Sequence, residues 1–499
     1  MEKLTKDLKE NVQYFKGLFK DCDDILFREI EIGDEHKVKI IVIFVDGMAN
    51  KEFVSDSAIQ SLFWKDDLNH IPVDETYELF FNRIFKEAIA SAELKKEDKI
   101  ETIIDDILSG DTALLVENMD KCIVIGSRDG PSRSIEEPKT ETVIRGPRDG
   151  FNEIMKFNLA LVRRRIKDPK FKVKFKQVGR RSRTTVAVLY IDDIVDKKLL
   201  DEVKKRLDNV DIDAVLDSAI LENLIEDNYL SPFPQVENTE RPDSVAAALY
   251  EGRVGLIVDN SPFALIVPAT MGTLIQSSED YYERWSQTTI IRIIRIIAMF
   301  LSFTAPALYI AITAYHPGLL PTKLIYFLAA SRINVPFPSV VEAILMELTM
   351  ELLREAGTRV SGPIGSTIGI VGGLIIGQAA VDAGIVSPLM IIIVAVTTIS
   401  TFAIPSYEMA TGFRTVRFTF IALAGVLGLY GVVLGIIVLL SHFIILSSFG
   451  IPFTSPFSGL GIEEGDLKDT LVKAPIQRLW LRPGFTNPKN KRRMRGHKK

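Results

Sequence analysis

The charged residues of this 499-residue chain are distributed very unevenly along it. Only twelve of its 125 Asp, Glu, Lys and Arg residues lie between Ile296 and Leu446, where long runs carry no charge. A charged side chain is costly in hydrocarbon, whereas a soluble domain carries charges over its whole surface. The asymmetry therefore predicts a soluble N-terminal region followed by an α-helical, multi-pass membrane domain over residues 286–447.

Four apolar runs in this domain are each long enough to cross a bilayer, which takes roughly 20 apolar residues. They are residues 296–315, 364–381, 385–405 and 418–446. Residues 448–499 are expected to form a cytoplasmic tail, because the last eleven residues include seven Lys or Arg and such clusters stay in the cytoplasm. With the N-terminal region also cytoplasmic, the number of spans is even.

The segment 406–417 fits this four-span scheme poorly. It would lie outside the cytoplasm, yet it contains Arg414 and Arg417, against the tendency of basic loops to stay inside. Either the third apolar run is re-entrant or this loop is an exception to a statistical rule, and the sequence leaves both open.

Strand and helix patterns alternate along the N-terminal region, and this alternation predicts two small α/β subdomains. The first subdomain covers residues 1–127, a polar connector covers 128–150, and the second subdomain covers 151–285. KVKIIVIFVDG (37–47) is typical of a buried strand ended by an Asp-Gly turn. GRVGLIVDNSPFALIVPA (252–269) is apolar enough to suggest a span, but its β-branched residues and central turn favour a hairpin.

The same region carries no sequence signal of catalysis or of export. Cys22 and Cys122 have no C-x-x-C spacing, and the N-terminus lacks the apolar core of a signal peptide, so we expect a reducing, cytoplasmic setting. There is no P-loop or H-E-x-x-H motif, and no His/Cys cluster suggests a metal site. We therefore expect that the chain is not an enzyme and binds no cofactor or metal.

The basic C-terminal tail is interpreted as a topology signal or as a contact with membrane lipid. It is not interpreted as a nucleic-acid-binding segment.

A helix over residues 338–356 combines apolar residues with carboxylates. Glu347, Glu351 and Glu355 repeat every fourth residue and so form one stripe, with Arg354 close enough to pair. One interpretation is an amphipathic helix at the membrane interface. The other places the three glutamates along a hydrated vestibule or pore, where they would favour cations.

Four glycines also repeat every fourth residue, in an apolar run. Gly365, Gly369, Gly373 and Gly377 occupy one line along a helix, although each costs roughly 0.5–1 kcal/mol relative to alanine. A flat glycine face allows another helix to approach closely in lipid, or it exposes backbone to a pore. We predict helix packing or pore lining at these positions.

The connector holds the densest polar pattern, with arginines next to glycines. Arg128, Arg145 and Arg148 could present guanidinium and backbone N–H groups to an anion. Alternatively they serve a structural linker and pair with Glu136, Glu137 or Glu141, or contact another domain or subunit.

Several longer stretches resemble the A subunit of the GerA-type spore germination receptors. They are EEPKTETVIRGPRDGFNE (136–153), GRRSRTTVAVLYIDDI (179–194), FPQVENTERPDSVAAALYEGRVGLIVDNSPFALIVP (233–268), QSSEDYYERW (276–285), VPFPSVVEAILMELTMELLREAG (335–357), GPIGSTIGIVGGLIIGQAAVDAGIVSP (362–388) and SFGIPFTSPF (448–457). They occur in the same order as in that family and cover most of the chain.

The resemblance implies a multi-pass protein of the spore inner membrane with both termini on the core side. It implies a transporter-like B subunit and a lipoprotein C subunit as partners, and a homo-oligomer of A subunits that forms an ion channel. Such a channel would release ions when nutrient is sensed and so start germination. The alternatives are a scaffold or signalling subunit, or a SpoVAF-like amplifier paralogue, without conduction of its own.

Overall fold

The chain forms one α/β unit and one helical unit in the computed structural model. The structure describes residues 2–32, 37–50, 77–88, 93–128, 137–359, 373, 375–457 and 469–494. The α/β unit comprises Met1–Glu226, Val236–Pro268 and Trp480–Lys499, and the helical unit comprises Asp227–Gln235 and Ala269–Leu479. The predicted fold class, an N-terminal α/β region with two subdomains followed by a helical region, is confirmed.

The first subdomain is built on an antiparallel five-stranded sheet in the order β1-β2-β4-β5-β3. Its strands are β1 Ile25–Ile32, β2 Val38–Val45, β3 Leu94–Glu97, β4 Thr112–Val116 and β5 Cys122–Ile125, and its helices are α1 Leu8–Leu18, α2 Tyr77–Arg83 and α3 Ile100–Leu108. Successive residues of β2 alternate between two apolar cores, with Ile40 in one and Ile41 in the other. Because both faces of the sheet are covered, β2 is apolar at every position except Lys39 instead of alternating with polar residues.

The second subdomain repeats this topology. Its strands are β6 Phe171–Val178, β7 Thr184–Ile191, β8 Glu237–Thr239, β9 Val254–Val258 and β10 Ala264–Val267, and its helices are α4 Met155–Arg163, α5 Lys197–Asp208, α6 Ser218–Ile225 and α7 Pro242–Tyr250. The strand order β6-β7-β9-β10-β8 again places the first, second, fourth, fifth and third strands side by side, all antiparallel. The hairpin predicted over 252–269 is confirmed as β9 and β10.

The helical unit is built from helices, eight of which lie wholly among the described residues with both ends defined. They are α8 Met271–Leu274, α9 Glu279–Tyr282, α10 Trp285–Ile310, α11 Thr322–Ser331, α12 Ser339–Arg359, α13 Pro388–Phe402, α14 Tyr407–Leu427 and α15 Leu429–Ile445. In this part of the chain two helical stretches, Trp285–Tyr315 and Tyr407–Leu427, are long and apolar enough to cross a membrane, and α13 and α15 are shorter apolar helices.

Two helix boundaries differ from those expected. The first apolar helix begins at Trp285 rather than at residue 296, because Arg292 and Arg295 are buried inside it and do not mark its end. The run 418–446, expected as one span, is divided at Gly428, whose φ of +59° is a conformation that glycine adopts without a Cβ penalty. As a result, 406–417 is not a loop but lies almost wholly within α14.

The C-terminal segment is not a free tail. Within the α/β unit, the Arg482 Nε donates to the Tyr250 carbonyl at 2.7 Å and the Thr486 hydroxyl donates to the Glu251 carbonyl at 2.7 Å. The Lys489 backbone N–H donates to the Ile194 carbonyl at 2.9 Å. Residues 480–494 are therefore an integral part of the second subdomain.

The segment Asp227–Gln235 lies between two stretches of the α/β unit in the sequence, but it belongs to the helical unit. Phe233 is 1% exposed and packs edge-on against Phe413 and Phe443, with ring centroids 5.1 and 4.7 Å away. The segment can approach α14 because position 412 is glycine. A Cβ there would lie 2.6 Å from the Pro232 carbonyl oxygen and 2.8 Å from the Phe233 ring.

We expect Gly412→Ala to destabilise the helical unit by about 1–3 kcal/mol, the usual cost of overpacking, because a backbone carbonyl blocks the new methyl group. Gly377→Ala is the matched control, since its Cβ would meet, of the residues that the structure describes, only Ile391 at 3.8 Å. Thermal unfolding of the detergent-solubilised chain measures both. Equal melting temperatures for the two variants would contradict the close approach.

Candidate functional site: a buried ionic network in the helical unit

The helices of the helical unit bury several charged residues beside their apolar core and expose many large apolar side chains. In α12, Glu342 and Glu347 are at most 1% exposed, whereas Leu348 is 51% and Leu352 71% exposed. The same inversion holds in α10, where Arg292 is fully buried while Ile290 is 60% exposed. A soluble protein shows the opposite distribution. The polar interior is the first element of the candidate site.

Arg417 on α14 is the centre of this interior, because it joins three other helices. Its Nη1 donates to Glu347 Oε2 of α12 at 2.5 Å, and its Nη2 donates to the Thr401 hydroxyl of α13 at 2.7 Å. Its Nε donates to the Ser302 carbonyl of α10 at 2.7 Å. The guanidinium has several donors in a rigid fork, so a single side chain can fix four helices.

The Ser302 carbonyl accepts from Arg417 because its own helix cannot supply a donor. In an α-helix this carbonyl would accept the N–H of the residue four positions later, which is Pro306. Proline has no backbone N–H, so its presence inside α10 leaves the carbonyl without its helical partner. Arg417 restores the missing hydrogen bond from a different helix.

A second buried carboxylate on α12, that of Glu342, also has hydrogen-bond partners on other segments of the chain. Glu342 accepts from Arg332 Nη2 at 2.9 Å and from the Ser387 backbone N–H at 2.9 Å. The Ser387 hydroxyl in turn lies 3.1 Å from the Tyr309 hydroxyl. Glu342 is thus held by α13 and by the segment that follows α11. Buried carboxylates require such partners, since an unpaired buried charge is strongly unfavourable.

The predicted glutamate stripe is not uniform in the structure. Glu347 is fully buried and paired, and its Oε1 has no hydrogen-bond partner among the described residues. Glu351 is partly exposed and pairs with Arg354 on the same helix. Glu355 is exposed. The pore-lining role of the stripe stays a prediction, with Glu347 in a different environment from the other two.

A third charge cluster lies at the start of α10. Asp280, 4% exposed, accepts from Arg292 Nε at 3.0 Å and from Arg295 Nη1 at 2.9 Å. Arg292 also contacts Asp469, and Lys473 donates to the Asp280 backbone carbonyl. This cluster ties the segment after residue 469 to the beginning of the first apolar helix.

The glycine ladder lies partly outside the described residues, which exclude Gly365 and Gly369. Among the described residues, a Cβ at Gly373 would meet no atom within 4 Å, and one at Gly377 would meet only Ile391 at 3.8 Å. Neither glycine packs closely against the backbone of that part of the chain. Helix packing against another chain, or pore lining, stays a prediction for these glycines.

The connector arginines make different contacts. Arg128 pairs with Asp111 through two hydrogen bonds of 2.8 and 2.6 Å, Arg148 pairs with Glu137 at 3.2 Å, and Arg145 is exposed. The Arg148–Glu137 pair agrees with the linker interpretation. No anion site is formed by these three side chains within the described residues, and their role in contacts with another subunit stays a prediction.

The connector is held instead by Arg241, a fully buried residue at the start of α7. Its guanidinium donates to the backbone carbonyls of Glu141 and Pro147, at 3.2 and 2.8 Å, and pairs with Asp243. Burial raises the pKa of Glu141 to about 7, with the neighbouring carboxylates of Glu237 and Glu240 adding to the effect. The Glu141 carboxyl is therefore a titrating group near neutral pH.

The contribution of Glu141 to the stability of the α/β unit is expected to fall as pH rises from about 4.5 to about 7. In this interval the folded chain keeps a proton on Glu141 that the unfolded chain releases, so ionisation favours unfolding. Glu141→Gln should abolish this component and stabilise the chain at pH 8 by about 1–2 kcal/mol relative to wild type, after solvent screening. Thermal unfolding across this pH range tests it; parallel curves for both proteins would contradict the assignment.

Comparisons with known proteins identify the family of this chain. The sequence profile described as Bacillus/Clostridium GerA spore germination protein matches residues 13–485. The chain belongs to the GerA family of spore germination proteins. The family resemblance predicted from the sequence is confirmed.

Individual GerA-family relatives are similar over nearly the whole chain. Spore germination protein GerLA of Bacillus cereus is 41% identical over 487 residues, which cover 98% of this chain and 97% of that protein. Spore germination protein KA of Bacillus subtilis (strain 168) is 40% identical over 475 residues, 95% of this chain and 85% of that protein. The crystal structure of the N-terminal domain of the A subunit of the Bacillus megaterium spore germinant receptor GerK3 is 30% identical, with a TM-score of 0.42, over 54% of this chain and 97% of that chain.

Sequence reasoning missed the central residue of the ionic network in this GerA-family chain. Arg417 was assigned to a loop because it lies near the edge of an apolar run. Two signals could have found it: a glutamate in another apolar helix, here Glu347, and a proline inside a span, here Pro306. A basic residue, an acidic residue and a freed carbonyl within apolar helices indicate a shared buried network.

Proposed function

We propose that this GerA-family chain is an A-type subunit of a nutrient-germinant receptor in the spore inner membrane, and that its oligomer forms the path through which ions leave the spore core. The observation that carries the proposal is that the helical unit exposes branched apolar side chains and buries paired charges beside its apolar core. Such a unit is unsuited to water and suited to lipid, where polar side chains face the bundle interior.

The proposed topology places the N-terminal region and the C-terminal segment on the same, core-facing side of the membrane. Residues 480–494 are hydrogen-bonded into the second α/β subdomain, which supports a common side for both. The basic residues of that segment add to the argument, because such residues are retained on the cytoplasmic side. An even number of membrane crossings follows.

The proposed ion path runs along α12. Buried Glu347 and partly exposed Glu351 lie one helical turn apart, and a row of carboxylates favours cations over anions. A transporter-like B subunit and a lipoprotein C subunit are the proposed partners, with nutrient recognition mainly on the B subunit. The subunit would then convert nutrient binding elsewhere into ion release.

Two alternatives make different use of the same fold. A scaffold or signalling subunit, or a SpoVAF-like amplifier, would assemble in the membrane without conducting by itself. Purified chain in liposomes, with and without the partner subunits, separates these functions. Cation flux that requires nutrient and partners supports the channel, saturable uptake of one solute contradicts it, and no flux in any combination favours the scaffold.

We expect Glu351→Gln to change conductance or cation preference in the reconstituted receptor, because it removes a partly exposed carboxylate from the proposed path. The matched control is Glu101→Gln, an exposed glutamate on α3 of the α/β unit. Single-channel recordings and ion release from spores provide the measurements. Unchanged ion release in Glu351→Gln spores with normal protein levels counts against this role.

A further inference from the structure

Residues 137–150 of the connector, here named the docked segment, are held against the second α/β subdomain by a few polar bonds. The Lys139 and Thr140 backbone N–H groups both donate to the Glu240 carboxylate, at 2.6 and 3.2 Å. Arg241, the next residue, donates to two carbonyls of the same segment. The docked segment forms no helix or strand of its own, so its position depends on these two residues between β8 and α7.

The Glu141 side chain lies within the docked segment and forms no ion pair with the described residues. Its Oε2 accepts from the Thr239 hydroxyl at 2.6 Å, the one hydrogen bond of this carboxyl group in the described part of the chain. Arg241 bonds to the Glu141 backbone carbonyl and not to the carboxyl group. Ionising a partly buried carboxyl group in such a setting is costly, because neither water nor a counter-ion fully compensates the charge.

The guanidinium groups around Glu141 are already neutralised by other carboxylates. Arg241 pairs with Asp243 at 3.0 Å, and Arg253 pairs with Glu237 at 2.6 Å. An ionised Glu141 would therefore add a negative charge beside existing ones. The charged groups that face it from β8, α7, β9 and the connector are Glu237, Glu240, Arg241, Asp243, Arg253 and the exposed Lys139, Arg145 and Arg148.

We propose that the docked segment is a proton-controlled latch, which stays closed on Glu240 and Arg241 while the Glu141 carboxyl is protonated and opens more often once it is ionised. The carboxylates of Glu237 and Glu240 repel the ionised group, and its displacement draws the Glu141 carbonyl away from Arg241. The latch gives the α/β unit a local response to pH. It rests neither on the membrane placement of the helical unit nor on ion conduction.

The direction of the response follows from the state that holds the proton more tightly. Burial raises the pKa of Glu141 to about 7 in the closed latch, whereas the ordinary value of 4.5 applies once the segment is open. Closing is therefore favoured most at low pH and weakens as pH rises from about 4.5 to about 7. Between pH 6 and pH 8 the ratio of open to closed latch should rise about ten-fold, the effect of one proton.

Hydrogen exchange of the full, detergent-solubilised chain measures the latch at the Lys139 and Thr140 amides, whose N–H groups bond to Glu240. Exchange is recorded at pH 6, 7 and 8 and corrected for the intrinsic pH dependence of amide exchange. The Arg180 amide, which donates to the Ile212 carbonyl at 2.9 Å in the same subdomain, is the internal reference. We expect about ten-fold more opening at pH 8 than at pH 6 for the two connector amides, and no comparable change for Arg180.

Glu141→Gln should keep the latch closed at both pH values, because the amide oxygen accepts from Thr239 and the group cannot ionise. Glu137→Gln is the matched control; this exposed glutamate of the docked segment pairs with Arg148, so the variant should retain the ten-fold response. Equal opening of the wild-type latch at pH 6 and pH 8 would overturn the proposal. So would the wild-type response in Glu141→Gln, its loss in Glu137→Gln, or an equal response at the reference amide, which would indicate global unfolding.

Thr239→Val decides the question if Glu141→Gln does not fold. The Thr239 hydroxyl donates to the Glu141 carboxyl group and so favours its ionised form. Without this donor the midpoint of the opening transition should move to higher pH. An unchanged midpoint would show that a group other than Glu141 controls the segment.

Discussion

Arg417→Met is expected to destabilise the helical unit by about 3–5 kcal/mol, the usual cost of removing one partner of a buried ion pair. The substitution leaves the Glu347 carboxylate buried without its counter-ion and the Ser302 carbonyl without a donor. Arg417→Lys should recover only part of the loss, because an ammonium cannot reproduce the planar fork of the guanidinium. Thermal unfolding of the detergent-solubilised protein and its abundance in spore membranes measure the effect.

Arg414→Met is the matched control, three residues earlier on the same helix. Arg414 is 8% exposed and contacts the Thr411 hydroxyl and the Tyr407 ring, so its removal leaves no carboxylate unpaired in its described contacts. We expect a cost of about 1 kcal/mol. The double variant Glu347→Gln, Arg417→Met should be more stable than Arg417→Met alone. If Arg417→Met and Arg414→Met melt at the same temperature, Arg417 is not the centre of the network.

A loss of similar size is expected in the α/β unit for Arg163→Ala. Arg163 is fully buried, donates to both Asp24 oxygens at 2.7 and 2.9 Å, and stacks on the Phe171 ring at 4.6 Å. The pair links the turn before β1 to the end of α4, and thus one subdomain to the other. Removing the guanidinium leaves a buried carboxylate without a partner, which costs about 3–5 kcal/mol.

Arg165→Ala supplies the control for this second pair. Arg165 is two residues away and also pairs with an aspartate, Asp149, but both side chains are about one-fifth exposed. Water partly replaces a lost contact there, so we expect about 1 kcal/mol or less. Hydrogen exchange of the segment around Asp24 should rise in Arg163→Ala and not in Arg165→Ala. Equal exchange in both variants would show that the pair does not hold the subdomains together.

The sheets could be predicted from the sequence to the extent that their strands are buried. β9 and β10 are continuous apolar runs, β2 is one apart from Lys39, and these patterns are local. β1 was missed because it is an edge strand, whose sequence ILFREIEI places charges at exposed positions. The repeated strand order of the two subdomains is not visible in the sequence, since it depends on long-range pairing.

The helical unit can be predicted less completely from the sequence, because arginines beside an apolar run indicate the end of a membrane helix. Arg292, Arg295 and Arg417 lie inside helices and find their partners on other segments of the chain. Such pairing is a property of tertiary structure, and no local pattern encodes it. The glutamate stripe was found from its spacing, but spacing alone could not distinguish buried Glu347 from exposed Glu355.

The two units exchange segments, and this has a consequence for expressing them separately. A chain that starts at Ala269 would lack Asp227–Gln235, and with it Phe233 from the aromatic cluster of the helices. A chain that stops at Pro268 would lack the segment that bonds to α7 and Ile194. The helices need a segment that is synthesised before them, and the α/β unit needs a segment that is synthesised after all of the helices, so truncation at the apparent domain border should yield two incomplete proteins.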